Sequence, residues 1–469
     1  MILDSSSTSA LRVAIVGAGF SGTLLAIQLL RQSQKPLEVT LIDSDSRNIG
    51  RGVAYSTMHA CHLLNVPAGN MSALPDDADH FLRWALNHQQ SLINPPLVTC
   101  VDEAAFLPRK SYGDYLNYLL AETGQSSPEG TNLNIKVGKV VAANQLTDGV
   151  ALTLAGGATL VTDKVVLALG NFPPGDPAVE NPSFYESERY HGNPWKPGVL
   201  EKILETESCL LIGSGLTMVD LLMALQQAGY RGKIHTISRR GQWPKPHAKV
   251  APIKHQVNEE SVPSTIRGWL QRIRQHIRND GADWRAVINA LRPHSGDLWT
   301  HLPLNEKRRF LRHLRPYWDS HRHRLAPVIG QQLQELIDAG QIIRYVGRVL
   351  NYHEGITRGV QVEIRSRGGR SVQMSVEAVV NCSGSESDYR QLQSPLVRDL
   401  LKKGYIRPDA LKLGLDVVAN GALIQGNGDE SSRLFTLGPP MKGVLWETTA
   451  VPEIRRQAAL LAETLLASR

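Results

Sequence analysis

Cysteine is scarce in this sequence of 469 residues, and no two cysteines form a CxxC pair. The four cysteines are Cys61, Cys100, Cys209 and Cys382. A thiol-based disulfide reductase needs a vicinal or near-vicinal pair, so the spacing argues against that class. The same spacing contains no set of metal ligands, and we predict no metal site.

A targeting segment and a membrane-spanning run are also missing. The first residues, MILDSSSTSALR, contain no basic stretch followed by an apolar core. The apolar run over 13–30 is interrupted by glycines, Ser21 and Thr23, which fits a strand, a turn and a helix better than a membrane span. No repeat or low-complexity tract is present. We therefore expect a cytoplasmic globular protein, and its length predicts two or three domains.

The sequence does contain a glycine-rich turn, GAGFSG at 17–22, between an apolar strand and a helix. Gly17 would form the tight turn, Gly19 would let the backbone approach a pyrophosphate, and Gly22 would let the helix pack on the strand. The next strand ends in an acid at the distance where dinucleotide-binding folds hold a ribose. We assign to FAD binding Gly17, Gly19, Phe20, Ser21, Gly22 and Asp43.

A second turn, GSGLTM at 213–218, follows the apolar strand SCLLI, with Met218 where a third glycine would stand. The strand after it ends in Ser238, Arg239 and Arg240 rather than in an acid. A guanidinium can bind a 2′-phosphate that a carboxylate would repel, which favours NADPH over NADH. The alternative is that the two arginines are only a solvated pair. We assign to NADPH binding Gly213, Gly215, Leu216, Thr217, Arg239 and Arg240.

The order of strands and helices predicts an α/β protein with two nested Rossmann-like dinucleotide-binding domains. We expect an FAD domain at 1–204 and 386–469, and an NADP domain at 205–385 that contains a helical insertion at 246–327. A strand is expected at 134–141, and a last helix is expected from about Glu447.

Positive charge is concentrated at 301–324, where seven Lys and Arg stand against two acids, a net charge of +5. Such a segment could bind nucleic acid, an anionic membrane, an acidic substrate or the phosphates of NADPH. The alternative is a solvated helix face. Because aromatic and apolar residues are interleaved, we expect one side to be buried while the arginines line a cleft. No RNA-binding motif accompanies the segment, so nucleic acid is disfavoured, and no membrane contact is predicted.

Both turns, together with VVLALGNFPP and SRR, resemble the flavin-containing and Baeyer–Villiger monooxygenases. That family carries a FxGxxxHxxxW motif before its NADPH site. In the segment YESERYHGNPW, His191 and Trp195 match the His and Trp of this motif. Tyr185 and Ser187 replace its Phe and Gly. The resemblance implies that His191 and Trp195 lie on a linker that responds to NADPH.

A likeness that runs almost end to end includes GRGVAYS, HLLNVPAGNMSA, SRRGQWPKPH and LGPPMKGVLWETTAVPEIRRQA. It is similar to a bacterial family of FAD/NAD(P)-binding proteins of largely unassigned function. The likeness implies that the loop with Asn65 and Asn70 lies against the isoalloxazine. Gly438 with Pro439 stands where related flavoproteins have a Gly-Asp pair that reaches the ribityl chain.

Further candidates follow from the helix expected near Glu447, whose N–H groups would point at the flavin C2 carbonyl. We expect cofactor contacts from Arg51, Tyr55, Asn70, Gly438, Glu447, Thr448 and Thr449, and catalytic roles for His191, Trp195 and Asn65. Arg109 is a further candidate for cofactor or substrate contact.

The predicted function is an FAD-dependent, NADPH-consuming oxidoreductase. We favour a monooxygenase that transfers one oxygen from a peroxyflavin to a small organic substrate, with an anionic molecule as a candidate. Three alternatives stay open: an NADPH-dependent reductase or dehydrogenase without oxygenation, a flavoprotein that binds nucleic acid, and a non-catalytic redox-sensing protein. The sequence does not indicate an oligomeric state.

Overall fold

The computed structural model describes residues 9–253, 263–279, 281–355 and 359–467. Sixteen strands are described: β1 Leu11–Val16, β2 Leu37–Asp43, β3 Thr131–Val137, β4 Val140–Leu146, β5 Gly149–Leu154, β6 Thr159–Thr162, β7 Lys164–Leu167, β8 Tyr190–His191, β9 Ser208–Ile212, β10 Lys233–Ser238, β11 Ile342–Glu354, β12 Val360–Ser366, β13 Ser371–Val376, β14 Ala378–Asn381, β15 Ala422–Ile424 and β16 Glu430–Thr436.

The α-helices of the described residues are α1 Phe20–Gln32, α2 Gly52–Tyr55, α3 His80–Asn87, α4 Gln89–Leu92, α5 Arg109–Gln125, α6 Val199–Leu204, α7 Leu216–Gln227, α8 Ile266–Asn279, α9 Trp284–Leu291, α10 Ser295–His301, α11 Leu304–His313, α12 Arg315–Arg322, α13 Pro327–Asp338, α14 Pro395–Lys402, α15 Lys442–Leu445 and α16 Val451–Ala467. None of these helices is both long and apolar enough to pass through a membrane.

The first large sheet has the strand order β15-β16-β7-β1-β2-β3, with every pair parallel except β15 with β16. Helix α1 follows β1 and is buried at every position from Ser21 to Leu30. A helix that is apolar on all sides must be covered on all sides. Here α5 and α16 pack against α1, so the C-terminal helix completes the first unit.

The second large sheet has the order β13-β12-β11-β10-β9-β14-β8. The strands from β11 to β8 are parallel, and β12 and β13 extend the long strand β11 as an antiparallel meander. Strand β8 belongs to this sheet and α6 packs on α7, so elements that precede residue 205 contact the second unit. The domain bounds stay predictions. The two sheets confirm the predicted α/β class with two dinucleotide-binding units.

The prediction of one continuous strand over 134–141 is wrong. Residues before Gly138 form β3 in the first sheet, whereas those after Lys139 form β4, which pairs with β5 and β6 in a separate antiparallel sheet. The chain changes sheets at Gly138, so a continuous run of alternating residues is split between two layers. The apolar pattern continues across the break and does not reveal it.

The predicted insertion forms helices α8 to α12, and part of it, 254–262 and 280, lies outside the described residues. It has its own apolar core, which also includes Leu413 and Trp446 of the C-terminal part. The last helix begins at Val451, not at Glu447, so Glu447 to Thr449 form the approach to α16 rather than its first turn.

Candidate functional site

The first glycine turn leaves no room for side chains. Gly17 has φ of +108°, and a Cβ on it would lie 2.2 Å from the carbonyl oxygen of Ala168 on the neighbouring strand segment. A Cβ on Gly22 would lie 1.9 Å from the carbonyl oxygen of Gly17. Gly19 precedes α1 and supplies no side-chain cap, and the first turn of α1 has no acidic residue. The helix N-terminus therefore presents N–H groups and positive potential suited to a phosphate.

Asp43 lies at the end of β2, beside this turn. Its Oδ2 accepts a hydrogen bond of 3.0 Å from the Ala18 amide, and its Oδ1 accepts from the Asp45 amide and from Asn48 Nδ2, each at 3.1 Å. These bonds orient the carboxylate beside the turn. Its role as a ribose ligand stays a prediction.

Phe20, Arg51 and Tyr55 come together next to the turn. The rings of Phe20 and Tyr55 are 5.6 Å apart, and Tyr55 is 4.8 Å from Tyr112. Burial raises the pKa of Tyr55, so its phenol stays protonated. Arg51 Nη2 donates to Asp114 Oδ1 at 2.6 Å, a partner that the sequence did not indicate.

Gly438 brings the C-terminal segment to the first turn. It has φ of +76°, and a Cβ on it would lie 2.6 Å from Ser21 Oγ. Thr448 is fully buried, and its hydroxyl has no hydrogen-bond partner among the described residues. An unpartnered buried hydroxyl fits a ligand group that completes its bonding. Thr449 is exposed.

The second glycine turn repeats the first with one difference. Gly213 has φ of +117°, and a Cβ on it would lie 2.3 Å from the Cys382 carbonyl oxygen. Gly215 precedes α7, supplies no side-chain cap, and faces open space, since a Cβ on it would meet nothing within 4 Å. Met218 replaces the third glycine and is fully buried. Leu216 and Thr217 begin α7, where a phosphate would face the helix N-terminus.

Arg239 and Arg240 follow β10, the strand next to this turn in the sheet. Arg239 is exposed and Arg240 is half-buried. Among the described residues, neither guanidinium forms an ion pair, which leaves both able to bind a 2′-phosphate.

Trp195 lies where the two units meet, whereas His191 lies in β8. The Trp195 ring contacts the His62 ring edge-on at 5.9 Å, and His62 Nε2 is 3.0 Å from the Asp220 carbonyl oxygen of α7. His191 is buried, and burial lowers its pKa, helped by Lys202 and Lys196, so its ring is neutral at pH 7.

Asn65 also lies at this junction. With Arg109 of the first unit and Leu216 of the second, it lines a small space between them, and its carbonyl oxygen accepts a hydrogen bond of 3.0 Å from His247 Nε2. Asn70 is exposed at the end of a short turn, Ala68–Asn70. The catalytic and flavin-binding roles of both asparagines stay predictions.

An ion pair that we did not foresee joins the two units. Arg109, the first residue of α5, donates to both carboxylate oxygens of Asp220 in α7, at 2.6 and 2.9 Å, and its Nε donates to the Leu63 carbonyl oxygen. Arg109 is thus engaged by protein. The sequence signal for this ion pair was Asp220, a single carboxylate in the otherwise apolar start of α7.

A second unforeseen network attaches the helical insertion to the C-terminal segment. Arg322 donates to Glu447 at 3.1 Å, Trp318 donates to the same carboxylate at 3.3 Å, and Arg292 donates to Glu453 at 3.0 Å. Burial alone would raise the pKa of Glu453, but the bond to Arg292 and the charges of Arg292 and Arg322 hold it below its usual value.

The basic segment therefore differs from the cleft of arginines that we expected. Arg322 and Arg324 are buried, at 7% and 5% exposure, and Arg309 and Arg315 pair with acids of their own helices. Much of the positive charge is neutralised or turned inward, because carboxylates distant in sequence approach it.

The architecture is that of proteins that bind two dinucleotides, and comparisons with known proteins agree. Residues 14–172 match the model of a FAD-NAD(P)-binding family, which confirms an FAD/NAD(P)-binding domain there. No curated protein sequence matches the chain.

Solved structures share the fold over nearly the whole chain. The L-lysine 6-monooxygenase of Pseudomonas syringae is 14% identical with a TM-score of 0.66, covering 98% of this chain and 99% of that one. The ornithine N-hydroxylase of Kutzneria sp. 744, with reduced FAD, NADP+ and L-ornithine, is 13% identical with a TM-score of 0.62, covering 97% and 99%. The bacillithiol disulfide reductase of Staphylococcus aureus is 12% identical with a TM-score of 0.56, covering 98% and 100%.

Proposed function

We propose that the protein is an FAD-dependent, NADPH-consuming monooxygenase that transfers one oxygen atom to a small organic substrate. The observation that carries the proposal is the pair of uncapped glycine turns, one at the end of each central parallel strand. Helix α7, behind the second turn, is attached to α5 of the first unit through the ion pair of Arg109 and Asp220. Ligands of such folds bind at the carboxyl ends of the strands.

The residues present fit both cofactors. The backbone at Gly17 to Ser21 would hold the FAD pyrophosphate and Asp43 its ribose. The start of α7 would hold the NADPH pyrophosphate, with Arg239 and Arg240 at its 2′-phosphate. When bound, FAD supplies the redox chemistry, taking a hydride from NADPH and activating O₂.

The chain itself supplies orientation and shelter from water. Trp195 packs edge-on against His62 beside α7, and a neutral His191 adds no positive charge to the linker behind them. The helical insertion covers the segment before α16 through Arg322 and Trp318. A site closed in this way keeps water from the reacting groups.

The overall reaction consumes one NADPH, one proton and one O₂ per substrate. One oxygen atom forms the new bond to the substrate, and the other leaves as water after the O–O bond breaks. The lysine and ornithine enzymes that share the fold support oxygen transfer as the outcome. Disulfide reduction is disfavoured because no two of the four cysteines form a CxxC pair and only Cys100 of them is exposed. Burial raises the pKa of Cys61 and of Cys209 to about 12, so neither provides a reactive thiolate.

The test measures NADPH oxidation, hydrogen peroxide and product with a panel of amines, sulfides and ketones. A monooxygenase converts at least one compound to an oxygenated product while peroxide falls by the same amount. Peroxide equal to NADPH consumed with every compound would instead favour a reductase without oxygenation.

Gly215→Val tests the NADPH site within the same experiment. Open space at Gly215 lets the variant fold, yet its side chain occupies the approach to the helix N-terminus. It should retain FAD and lose flavin reduction by NADPH, while dithionite still reduces the flavin. Gly368→Val, also in open space but in the β12–β13 connection, is the matched control and should behave as wild type.

A further inference from the structure

The helical insertion contains a cavity of about 510 Å³ between helices α8 to α12. Its lining is mainly aliphatic and aromatic, and five of the eight tryptophans of the chain contribute to it. These are Trp269, Trp284, Trp299, Trp318 and Trp446.

The cavity is partly open to the surface. Its volume lies in the range of pockets for small organic ligands, roughly 300 to 1,000 Å³. Trp446 has φ of +62°, a left-handed conformation that few non-glycine residues adopt, and its ring stacks on Trp299 at 4.8 Å. Strained residues of this kind cluster at ligand sites.

The charge of the lining selects among ligands. Arg274 and His321 are its basic residues, and no carboxylate belongs to the described lining. An ammonium group buried here would lose its hydration without gaining an opposite charge, which is unfavourable. Lys and Arg side chains of the chain already lie over the rings of three lining tryptophans, so those rings offer a ligand cation little further attraction. Amines such as lysine and ornithine are therefore poorly matched, and a neutral or anionic molecule is well matched.

The cavity borders the segment that approaches the FAD unit. Trp446 immediately precedes Glu447, and Trp318 Nε1 donates to Glu447 Oε1 at 3.3 Å. Trp299 Nε1 donates to the Gly443 carbonyl oxygen at 3.0 Å. Trp299 and Trp318 thus line the cavity and donate hydrogen bonds to residues 443–447. Trp446 belongs both to the cavity wall and to that segment.

We propose that this cavity binds the apolar body of the substrate, an aromatic or branched organic molecule that carries no cationic group. The assignment to a substrate rests on the proposed monooxygenase function. Binding itself does not, because it needs neither NADPH nor turnover.

The test titrates the FAD-loaded chain with naphthyl methyl sulfide, without NADPH, by calorimetry and by tryptophan fluorescence. We expect saturable binding that quenches the fluorescence of the cavity tryptophans. Ile273→Trp and Leu298→Trp enlarge two partly buried lining residues and should each weaken binding at least tenfold while FAD content is unchanged. Ile343→Trp, at a residue that is 38% exposed on β11, is the control and should bind as wild type.

Absence of saturable binding, or binding that both filling variants leave unchanged, would overturn the proposal. With NADPH added, sulfoxide should form at the expense of peroxide in wild type and in Ile343→Trp, and lysine should produce no such change. Binding in the cavity with no sulfoxide formed would overturn the assignment to a substrate. A wild-type flavin that NADPH does not reduce would overturn the proposed function instead, and the titration without NADPH would still decide the cavity.

Discussion

Replacing Asp220 by Leu removes the carboxylate that binds Arg109 across the two units. The pair has contacts of 2.6 and 2.9 Å, and its side chains are only 16% and 10% exposed. Removing one partner of a buried pair leaves the other charge unpaired, which typically costs about 3 to 5 kcal/mol. Because Arg109 keeps its bond to the Leu63 carbonyl oxygen, we expect a loss near the lower end, about 3 kcal/mol.

A double-mutant cycle measures this contribution. Denaturant unfolding of the FAD-loaded chain would be followed by circular dichroism for Asp220→Leu, Arg109→Met and the double variant. The double variant should lose less stability than the two single variants added together, because it leaves no unpaired charge. Asp76→Ala, in the more exposed pair with Arg31, is the control and should leave the unfolding midpoint unchanged.

The reasoning would be refuted by single variants that stay within about 0.5 kcal/mol of wild type, the range usual for surface substitutions. A double variant as unstable as the sum of the two would refute it equally. Either result would mean that the junction is held by the apolar contacts around it rather than by the pair.

Two further predictions concern the cofactor and pH. NADPH should reduce the flavin faster than NADH, and equal rates in the wild type would contradict this. Arg239→Ala or Arg240→Ala should lower the ratio of the NADPH rate to the NADH rate by roughly tenfold to a hundredfold, which is the contribution of one charge-assisted hydrogen bond. Burial, with a smaller effect of Arg324, lowers the pKa of His247 from 6.5 to about 4. The unfolded chain therefore binds the proton first, and stability should fall as pH drops from 6.5 to 4. His247→Gln should reduce that fall by up to about 3 kcal/mol in urea titrations at several pH values, and an unchanged pH profile would argue against it.

The parts of the fold that follow local rules were predictable. The glycine turns must combine a positive φ, a close strand contact and a helix start, so GAGFSG and GSGLTM located the junction of β1 with α1 and that of β9 with α7. Apolar strands such as 208–212 are buried on both faces, and their composition alone reveals them.

The parts that depend on distant partners were not predictable. Arg322 looks like a member of a solvated basic helix, because Glu447 and Glu453 lie more than 120 residues away in sequence. The same holds for Arg109, whose partner Asp220 belongs to the other unit. Residue type and spacing show that a charge is present, but only the fold shows whether another charge neutralises it.

The partners of Glu447 limit how the segment before α16 can act on a flavin. Both carboxylate oxygens of Glu447 are occupied by the insertion, one by Trp318 and the other by Arg322. The side chain is therefore committed to holding the insertion in place, and a negative charge facing the flavin would in any case oppose its reduction. Any contact of this segment with the cofactor must come from backbone N–H groups or from the buried hydroxyl of Thr448, which has no partner among the described residues. The Glu447 side chain thus holds the insertion against the C-terminal segment, and contact of its backbone N–H group with the flavin stays a prediction.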